Sequence, residues 1–336
     1  MPDTLQLTGV HHVSALTAHI ERTRDFYTRV LGMRPVITTV NQDDPRMYHL
    51  FFGDGAGSPG SDMTMFGITH AAPERRGNNS ISLTTLRVDG AGALEYWAQR
   101  LDEYGLAHGD AFERDGRLAL DFDDPESTRL SLVDDGGTGP AFPWAESPVP
   151  AEHQIRGLGY TTITVPVLEP THRFLTDGLG LRPHHVYVLD EHVPHEVHVY
   201  AIGEGGAHAE VHVVVRTDLP RAMYGAGGVH HVALRIPEGQ PIAGWAERLD
   251  RLGYRNSGIV DRHYFTSLYV REPNHVLFEL ATDGPGFSVD GPLDAERLSL
   301  PPFLEPRRAE IEAALEPRLF GIPVGTPAGP LAGGSE

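Results

Sequence analysis

The stretch from Phe26 to Pro35 (FYTRVLGMRP) returns from Phe174 to Pro183 (FLTDGLGLRP), and 174 − 26 = 148. The segment Trp97 to Asp102 returns at the same offset as Trp245 to Asp250, and Asp124-Pro125 returns as Glu272-Pro273. A fixed long period constrains a fold more than any local propensity, because equivalent segments must occupy equivalent places. The chain therefore reads as a tandem duplication. The duplication also supplies an internal comparison: a residue that differs between equivalent positions escaped the demands of the shared scaffold.

Each half divides again. Residues 8–16 alternate apolar and polar, and 18–32 then show helical periodicity with Ile20, Tyr27, Val30 and Leu31 on one side and Gly32 as a stop. Strands are expected at 34–40, 46–53 and 61–68. The next unit repeats the order, with a strand at 80–88, a helix over 90–104 and strands near 107–112, 117–123 and 128–134. Leu94, Trp97, Leu101 and Tyr104 form an apolar stripe that Ile242, Trp245, Leu249 and Leu252 copy. Strand, helix and three strands thus recur four times, over about 8–70, 79–135, 156–217 and 228–283. The fold class is α+β, four tandem βαβββ modules forming two paired half-barrel domains. A Pro- and Gly-rich connection from Gly136 to Pro150 separates the halves. The expected domains are 1–140 and 151–290, followed by a C-terminal extension, 291–336, with a short helix near 305–315 and a disordered tail from Gly325.

At 336 residues there is chain enough for two full cores. A net charge of −19 argues against a nucleic-acid partner, which needs basic side chains against phosphates, and against an anionic membrane surface. No run of 18 apolar residues occurs and the N-terminus lacks a signal-like pattern, so the expected location is cytoplasmic. With no cysteine, any metal must be held by histidine and carboxylate.

Three differences between the halves point to such a metal. His12 corresponds to Tyr160, His231 to Leu83 and Glu279 to Ser131. Both histidines are second in a His-His pair opening a strand, Gly9-Val10-His11-His12 and Gly228-Val229-His230-His231. Glu279 lies in the apolar run Val276-Leu277-Phe278-Glu279-Leu280, sharing a face with Leu277. A carboxylate there is costly unless paired or bound to a cation. Two imidazoles and one carboxylate on strands are the donor set that holds Fe(II) with positions left open, although Mn(II) is tolerated by the same set. Strand alternation places the neighbouring His11 and His230 on the opposite face, with His11 a candidate for substrate contact or support of the metal. The three donors come from the first and fourth units, so those units must share a barrel, and the barrel of units two and three must lack a metal triad. Tyr269 and Arg262, on the hairpin before Glu279, can move a proton and fix an oxyanion respectively. A competing cluster, His208-Ala209-Glu210-Val211-His212 with His195 and His198 nearby, is read as a solvated strand face with Val211 and Val213 inside.

These residues resemble the vicinal oxygen chelate superfamily of glyoxalases, bleomycin resistance proteins and extradiol dioxygenases, and more narrowly its hydroquinone-opening members. The matching stretches are Gly9 to Val13, Thr39 to Pro45, Tyr48 to Asp54, Gly57 to Gly60, Val229 to Ala233, and Asp261-Arg262 through Tyr269 to Ala281. His263 departs from the aromatic or apolar residue expected beside Arg262. The resemblance implies two glyoxalase-like domains, Fe(II) on His12, His231 and Glu279, and Arg262, Tyr269 and His11 around it. It further implies a ring-cleaving dioxygenase whose partners are a small aromatic diol and O2; separately, the exposed edges of half-barrels make a homodimer the expected assembly. The alternatives are a glyoxalase-like lyase or isomerase, which wants a second acid that the Met65-Phe66 region lacks, and a metal-free binding module.

Overall fold

The computed structural model describes residues 5–189, 195–316 and 319. The first module runs β1 (Val10–Thr17), helix α1 (Ile20–Asp25) extended by a π-helical turn (Phe26–Val30), β2 (Arg34–Val40), β3 (Tyr48–Gly53) and β4 (Asp62–Gly67). The second runs β5 (Ser80–Val88), α2 (Gly90–Glu103), β6 (Phe112–Arg114), β7 (Arg117–Asp123) and β8 (Arg129–Asp134). The third repeats the first as β9 (Leu158–Val165), α3 (Leu168–Arg173) with its own π-helical turn (Phe174–Gly178), β10 (Arg182–Val188), β11 (Glu196–Ala201) and β12 (Glu210–Val215). The fourth repeats the second as β13 (Val229–Ile236), α4 (Ile242–Arg251), β14 (Asn256–Asp261), β15 (Phe265–Arg271) and β16 (Leu277–Pro285).

Pairing follows the pseudo-symmetry rather than the order of the chain. β1 runs antiparallel to β13, which lies parallel to β16, so the first and fourth modules close one barrel. β5 runs antiparallel to β9 and parallel to β8, so the second and third close the other. The main path, β10-β11-β12-β9-β5-β13-β1-β4-β3-β2, maps onto itself when every strand is exchanged for its counterpart 148 residues away. The two-fold passes between pairs of self-equivalent residues. Ile81 pairs with Val229, and Arg75 and Met223 exchange backbone N–H···O bonds. The connections 72–78 and 220–226 cross at that axis, joined by Asn78 N–H to Pro220 O and by its counterpart, Ala226 N–H to Ala72 O. The approach is close: a Cβ on Gly77 or Gly225 would fall 2.2 or 2.1 Å from a carbonyl oxygen of the other connection.

Helices α2 and α4 bury Trp97 and Trp245 completely, as their stripes require. Two expectations shift. The strand expected at 107–112 is reduced to a single bridge from His108 to Phe122, and pairing begins at Phe112. Leu252 lies beyond the last turn of α4 and is exposed. In the C-terminal extension a 3₁₀ turn (Glu305–Arg307) leads into α5 (Arg308–Ala314). That extension covers the outer strand β2, with Ser299 N–H donating to Thr38 O and Thr38 Oγ1 to Ala295 O. The tail from Gly325 lies outside the described residues. No helix among the described residues is long and apolar enough to cross a membrane.

Candidate metal centre

His12, His231 and Glu279 arrive at one point from β1, β13 and β16 because these are adjacent strands. Ser14 lies opposite His231 across β1–β13, and Ala233 lies beside Glu279 across β13–β16. All three side chains are buried, Glu279 completely. His12 Nε2 and His231 Nε2 are 3.2 Å apart, and they stand 3.1 and 2.9 Å from Glu279 Oε2. Neither contact to the carboxylate has the alignment of a hydrogen bond, so Oε2 is buried without a hydrogen-bond partner among the described residues. The other oxygen is satisfied, accepting from Ser267 Oγ at 2.5 Å. An orphaned carboxylate oxygen is normally expensive, and two nitrogens converging on it make a cation the natural remedy. The spacing fits one. Donors about 2.1 Å from an ion and at right angles to each other lie about 3.0 Å apart. Burial pushes the Glu279 carboxyl up, but the two imidazoles outweigh it and hold the acid well below its usual range. Burial lowers His231 despite the carboxylate, so the ring offers a lone pair.

The preceding histidines are placed differently from the expectation. His11 and His230 do not turn to the opposite face: His11 Nδ1 lies 2.9 Å from His12 Nδ1, and His230 Nδ1 lies 2.7 Å from His231 Nδ1. The reason is a register shift in β1–β13 at each pair, between Val10 and His12 and between Ser14 and Ala15. A bulge re-aims a side chain that strict alternation would send away. Each preceding ring thus occupies Nδ1 of the candidate donor and leaves its Nε2 toward the centre, the support that orients metal-binding imidazoles. His11 is anchored by Thr282 O and brought down to about 3 by burial and His12, while His230 is brought to about 3 by burial and His231. His11 does not line the adjoining cavity; His230 does.

That cavity, of about 390 Å³, is bounded by His12, His231, Arg262, Tyr269 and Phe265 on the barrel side. Arg262 Nε donates to Tyr269 Oη at 3.2 Å, and its terminal nitrogens grip both Asp43 oxygens at 3.1 and 2.8 Å. Burial works against the Arg262 charge, yet Asp43 and Tyr269 together raise its pKa, so it stays cationic. Burial and the Glu279 charge raise Tyr269, keeping its phenol protonated. The Tyr269 ring meets the His231 ring edge to face at 5.8 Å. His263 takes no part: it is paired to Asp290 Oδ2 at 2.6 Å, outside the cavity.

One cavity residue was not singled out in the sequence. His49 on β3 stacks on Phe66 at 4.1 Å, and its Nε2 lies 2.9 Å from Thr64 Oγ1, which in turn meets Ser14 Oγ at 2.7 Å. Burial, then His12 and His231, push it well below its usual range. A lone histidine in an otherwise apolar strand was the available signal.

The competing cluster is not solvated. Glu210 and His212 are as buried as Val211 and Val213, because β12 faces both the second barrel's interior and its core. Asp115 joins them from the second module. Arg117, however, takes both Glu210 oxygens at 2.8 Å, and His185 Nε2 takes Asp115 Oδ1 at 2.5 Å. Arg117 also stands 3.6 Å from Asp115 Oδ2, so one guanidinium faces both acids. At the pseudo-equivalent of the triad, Tyr160 stacks on His212 at 3.9 Å, and Ser131 Oγ accepts from Arg114.

The glyoxalase/bleomycin resistance protein/dioxygenase superfamily model matches residues 9–132 and again 157–280. MhqA of Bacillus subtilis (strain 168), provisionally named a ring-cleaving dioxygenase, is 48% identical over 320 residues, covering 93% of this chain and 99% of that one. The chlorohydroquinone/hydroquinone 1,2-dioxygenase of Sphingobium indicum is 30% identical, covering 85% of this chain and 88% of its own. Among solved structures, a protein from Bacillus subtilis subsp. subtilis str. 168, provisionally titled a dioxygenase, superposes with a TM-score of 0.84 at 32% identity, covering 94% of this chain and 98% of that one. Glyoxalase I from Zea mays shares the fold, with a TM-score of 0.61 at 13% identity over 82% of this chain and 92% of its own. With both halves matched and relatives aligned along nearly the whole length, this chain belongs to the glyoxalase/bleomycin resistance protein/dioxygenase superfamily.

Proposed function

We propose that the protein is a ring-cleaving dioxygenase that inserts both atoms of O2 into a hydroquinone- or catechol-type ring, with a divalent ion, Fe(II) in preference to Mn(II), held by His12, His231 and Glu279. The observation that carries this reading is the buried, unpartnered Glu279 Oε2 facing two imidazole nitrogens at 3.1 and 2.9 Å beside a ring-sized cavity. When bound, such an ion supplies Lewis acidity toward a phenol oxygen and one-electron chemistry toward dioxygen.

The chain's own residues do the rest. Phe265 and Phe66 wall the cavity with apolar surface suited to one aromatic ring. His49 and His230 line it and are held uncharged by burial, so each can accept a hydrogen bond from a substrate hydroxyl. Arg262, fixed by Asp43, presents a cation that stabilises the developing oxyanion. Tyr269 keeps its proton and can donate it where negative charge collects. His11, outside the cavity, acts through His12 by fixing its ring. A lyase or isomerase needing a second acid at the centre is less well served, because Asp43 is the acid lining the cavity and Arg262 occupies both its oxygens.

Protein purified without oxygen is expected to carry iron near one atom per chain and to consume O2 on addition of methylhydroquinone or catechol. Metal present without O2 uptake on any such diol would reject the dioxygenase reading and favour the lyase.

A further inference from the structure

The barrel made by the second and third modules encloses a cavity of about 570 Å³, larger than the one beside the His–His–Glu triad. The two are the same place in the two barrels. Ser82, Leu83, Arg114 and Asp121 line the second where their counterparts 148 residues on, His230, His231, Arg262 and Tyr269, line the first. Divergence removed the metal donors but kept an arginine at the position of Arg262, and it added others. Arg129 stands where the first cavity has Leu277, and Arg76 and Arg216 complete the rim. In a chain of net charge −19, a wall carrying four guanidinium groups beside the two acids Glu74 and Asp121 is a local concentration of basic side chains.

One of these arginines has its guanidinium free. Arg76 and Arg216 are paired with Asp123 and Asp218. Arg114 is 9% exposed and its terminal nitrogens donate to Asp121 Oδ2 and Ser131 Oγ, so it lends its charge to the wall while already engaged. The Arg129 side chain makes no hydrogen bond or ion pair with any described residue. Burial and then the charge of Arg76 work against its cation, only partly offset by Asp123, Glu74 and Asp121. Glu74, the other acid on the wall, is itself pushed up to about 7 by burial, which weakens its power to neutralise its neighbours. The same cavity also presents apolar surface, from Ile81, Leu83, Val214 and Val229.

We propose that this second cavity is a binding site for a small organic carboxylate, its anionic group on Arg114 and Arg129 and its hydrocarbon body against Ile81, Leu83, Val214 and Val229. A guanidinium whose fork is unoccupied can take a carboxylate through two parallel N–H···O bonds, which adds geometric specificity. The apolar wall sets such a ligand apart from an inorganic anion, which gains nothing from hydrocarbon contact. An occupant would also touch the strand that carries the first site, since Val229 leads directly into His230 and His231. The site stands whether or not the proposed reaction is correct. If the reaction is correct, ring opening itself produces acids of this class, and intact aromatic acids share the same chemistry.

The test is isothermal titration of the full-length protein, stripped of metal by a chelator, with benzoate, cis,cis-muconate and inorganic phosphate. Benzoate or muconate is expected to bind one site per chain with Kd below about 1 mM, and phosphate at least ~10-fold more weakly. Whichever of the two carboxylates binds more tightly tells an intact ring from an opened one, and either supports the site. Arg129→Ala, with its fold checked by circular dichroism, should weaken binding at least ~10-fold, and Ser82→Trp should fill the hollow and abolish it. Arg262→Ala should leave it unchanged. The proposal is overturned if neither carboxylate binds up to ~10 mM. It is overturned equally if phosphate binds as well as they do, if Arg129→Ala has no effect, or if Arg262→Ala removes the binding.

Discussion

Replacing His231 by alanine tests the candidate metal centre most directly. The substitution removes one vertex of a triangle whose edges are 2.9–3.2 Å and leaves His12 and Glu279 as the remaining protein donors. Zinc sites with four protein donors bind with about 10–16 kcal/mol, or about 2.5–4 kcal/mol per donor. Losing one of three donors should therefore weaken the metal by about 70- to 1000-fold. The metal-free protein should change much less. The ring makes hydrogen-bond contacts with His230 Nδ1 and His12 Nε2 and packs edge to face on Tyr269 and tilted on Phe66, so a loss of about 1–3 kcal/mol is expected. The assay is an anaerobic Fe(II) titration in competition with a chromophoric chelator, with elemental analysis of the purified protein and urea unfolding in a chelator. His212→Ala is the matched control, an equally buried histidine whose acid neighbour is already held by Arg117. Retention of near-stoichiometric metal by His231→Ala, or its loss from His212→Ala alone, would refute the assignment.

Arg262→Ala should lower kcat for a hydroquinone by about 10²–10³-fold as a lost oxyanion donor, and Asp43→Ala by less, because Asp43 only fixes the guanidinium; equal losses would contradict this division of labour. The two equivalent tryptophans provide a stability test, since Trp97 Nε1 donates to His153 O at 2.8 Å, whereas Trp245 Nε1 is buried without a partner among the described residues. Trp97→Phe should cost about 1–2 kcal/mol more than Trp245→Phe in urea unfolding, and the reverse order would mean the indole hydrogen bond is not what separates them. Burial raises Glu210, but His212 and Arg117 outweigh it and bring its carboxyl to about 2, below the 4.5 of the unfolded chain. Its contribution is therefore complete above the unfolded value and lost as pH falls from there toward 2. Glu210→Gln should destabilise at neutral pH by about 3–5 kcal/mol and flatten the acid limb of stability against pH; an unchanged acid limb would show that other carboxylates set it.

The parts of this molecule that announced themselves in the sequence are those that the duplication made comparable. Four modules, the helix stripes around Trp97 and Trp245, and the convergence of His12, His231 and Glu279 all follow from reading one half against the other. What stayed hidden depends on strands far away in sequence. The bulges that bring His11 onto His12 and His230 onto His231 are properties of β1 and β13 as a pair, and no alternation within either strand encodes them. Glu210 and His212 carry the pattern of a wet face, and only Arg117, arriving from the second module, makes their burial tolerable. The covering of β2 by residues near Leu298 likewise had no counterpart in the first-to-third repeat, since β10 leaves Val186 and Val188 exposed.

The crossing of residues 72–78 with 220–226 gives the molecule an interlocked construction. Each barrel borrows one module from the N-terminal half and one from the C-terminal half, so neither half encloses a finished core. Proteolytic nicking anywhere between Gly136 and Pro150 should leave two fragments that co-purify as one particle and still hold the His12–His231–Glu279 triangle across the cut. The same construction describes a plausible parent: two identical shorter chains, each lending an arm to the other, later tied end to end by that connection.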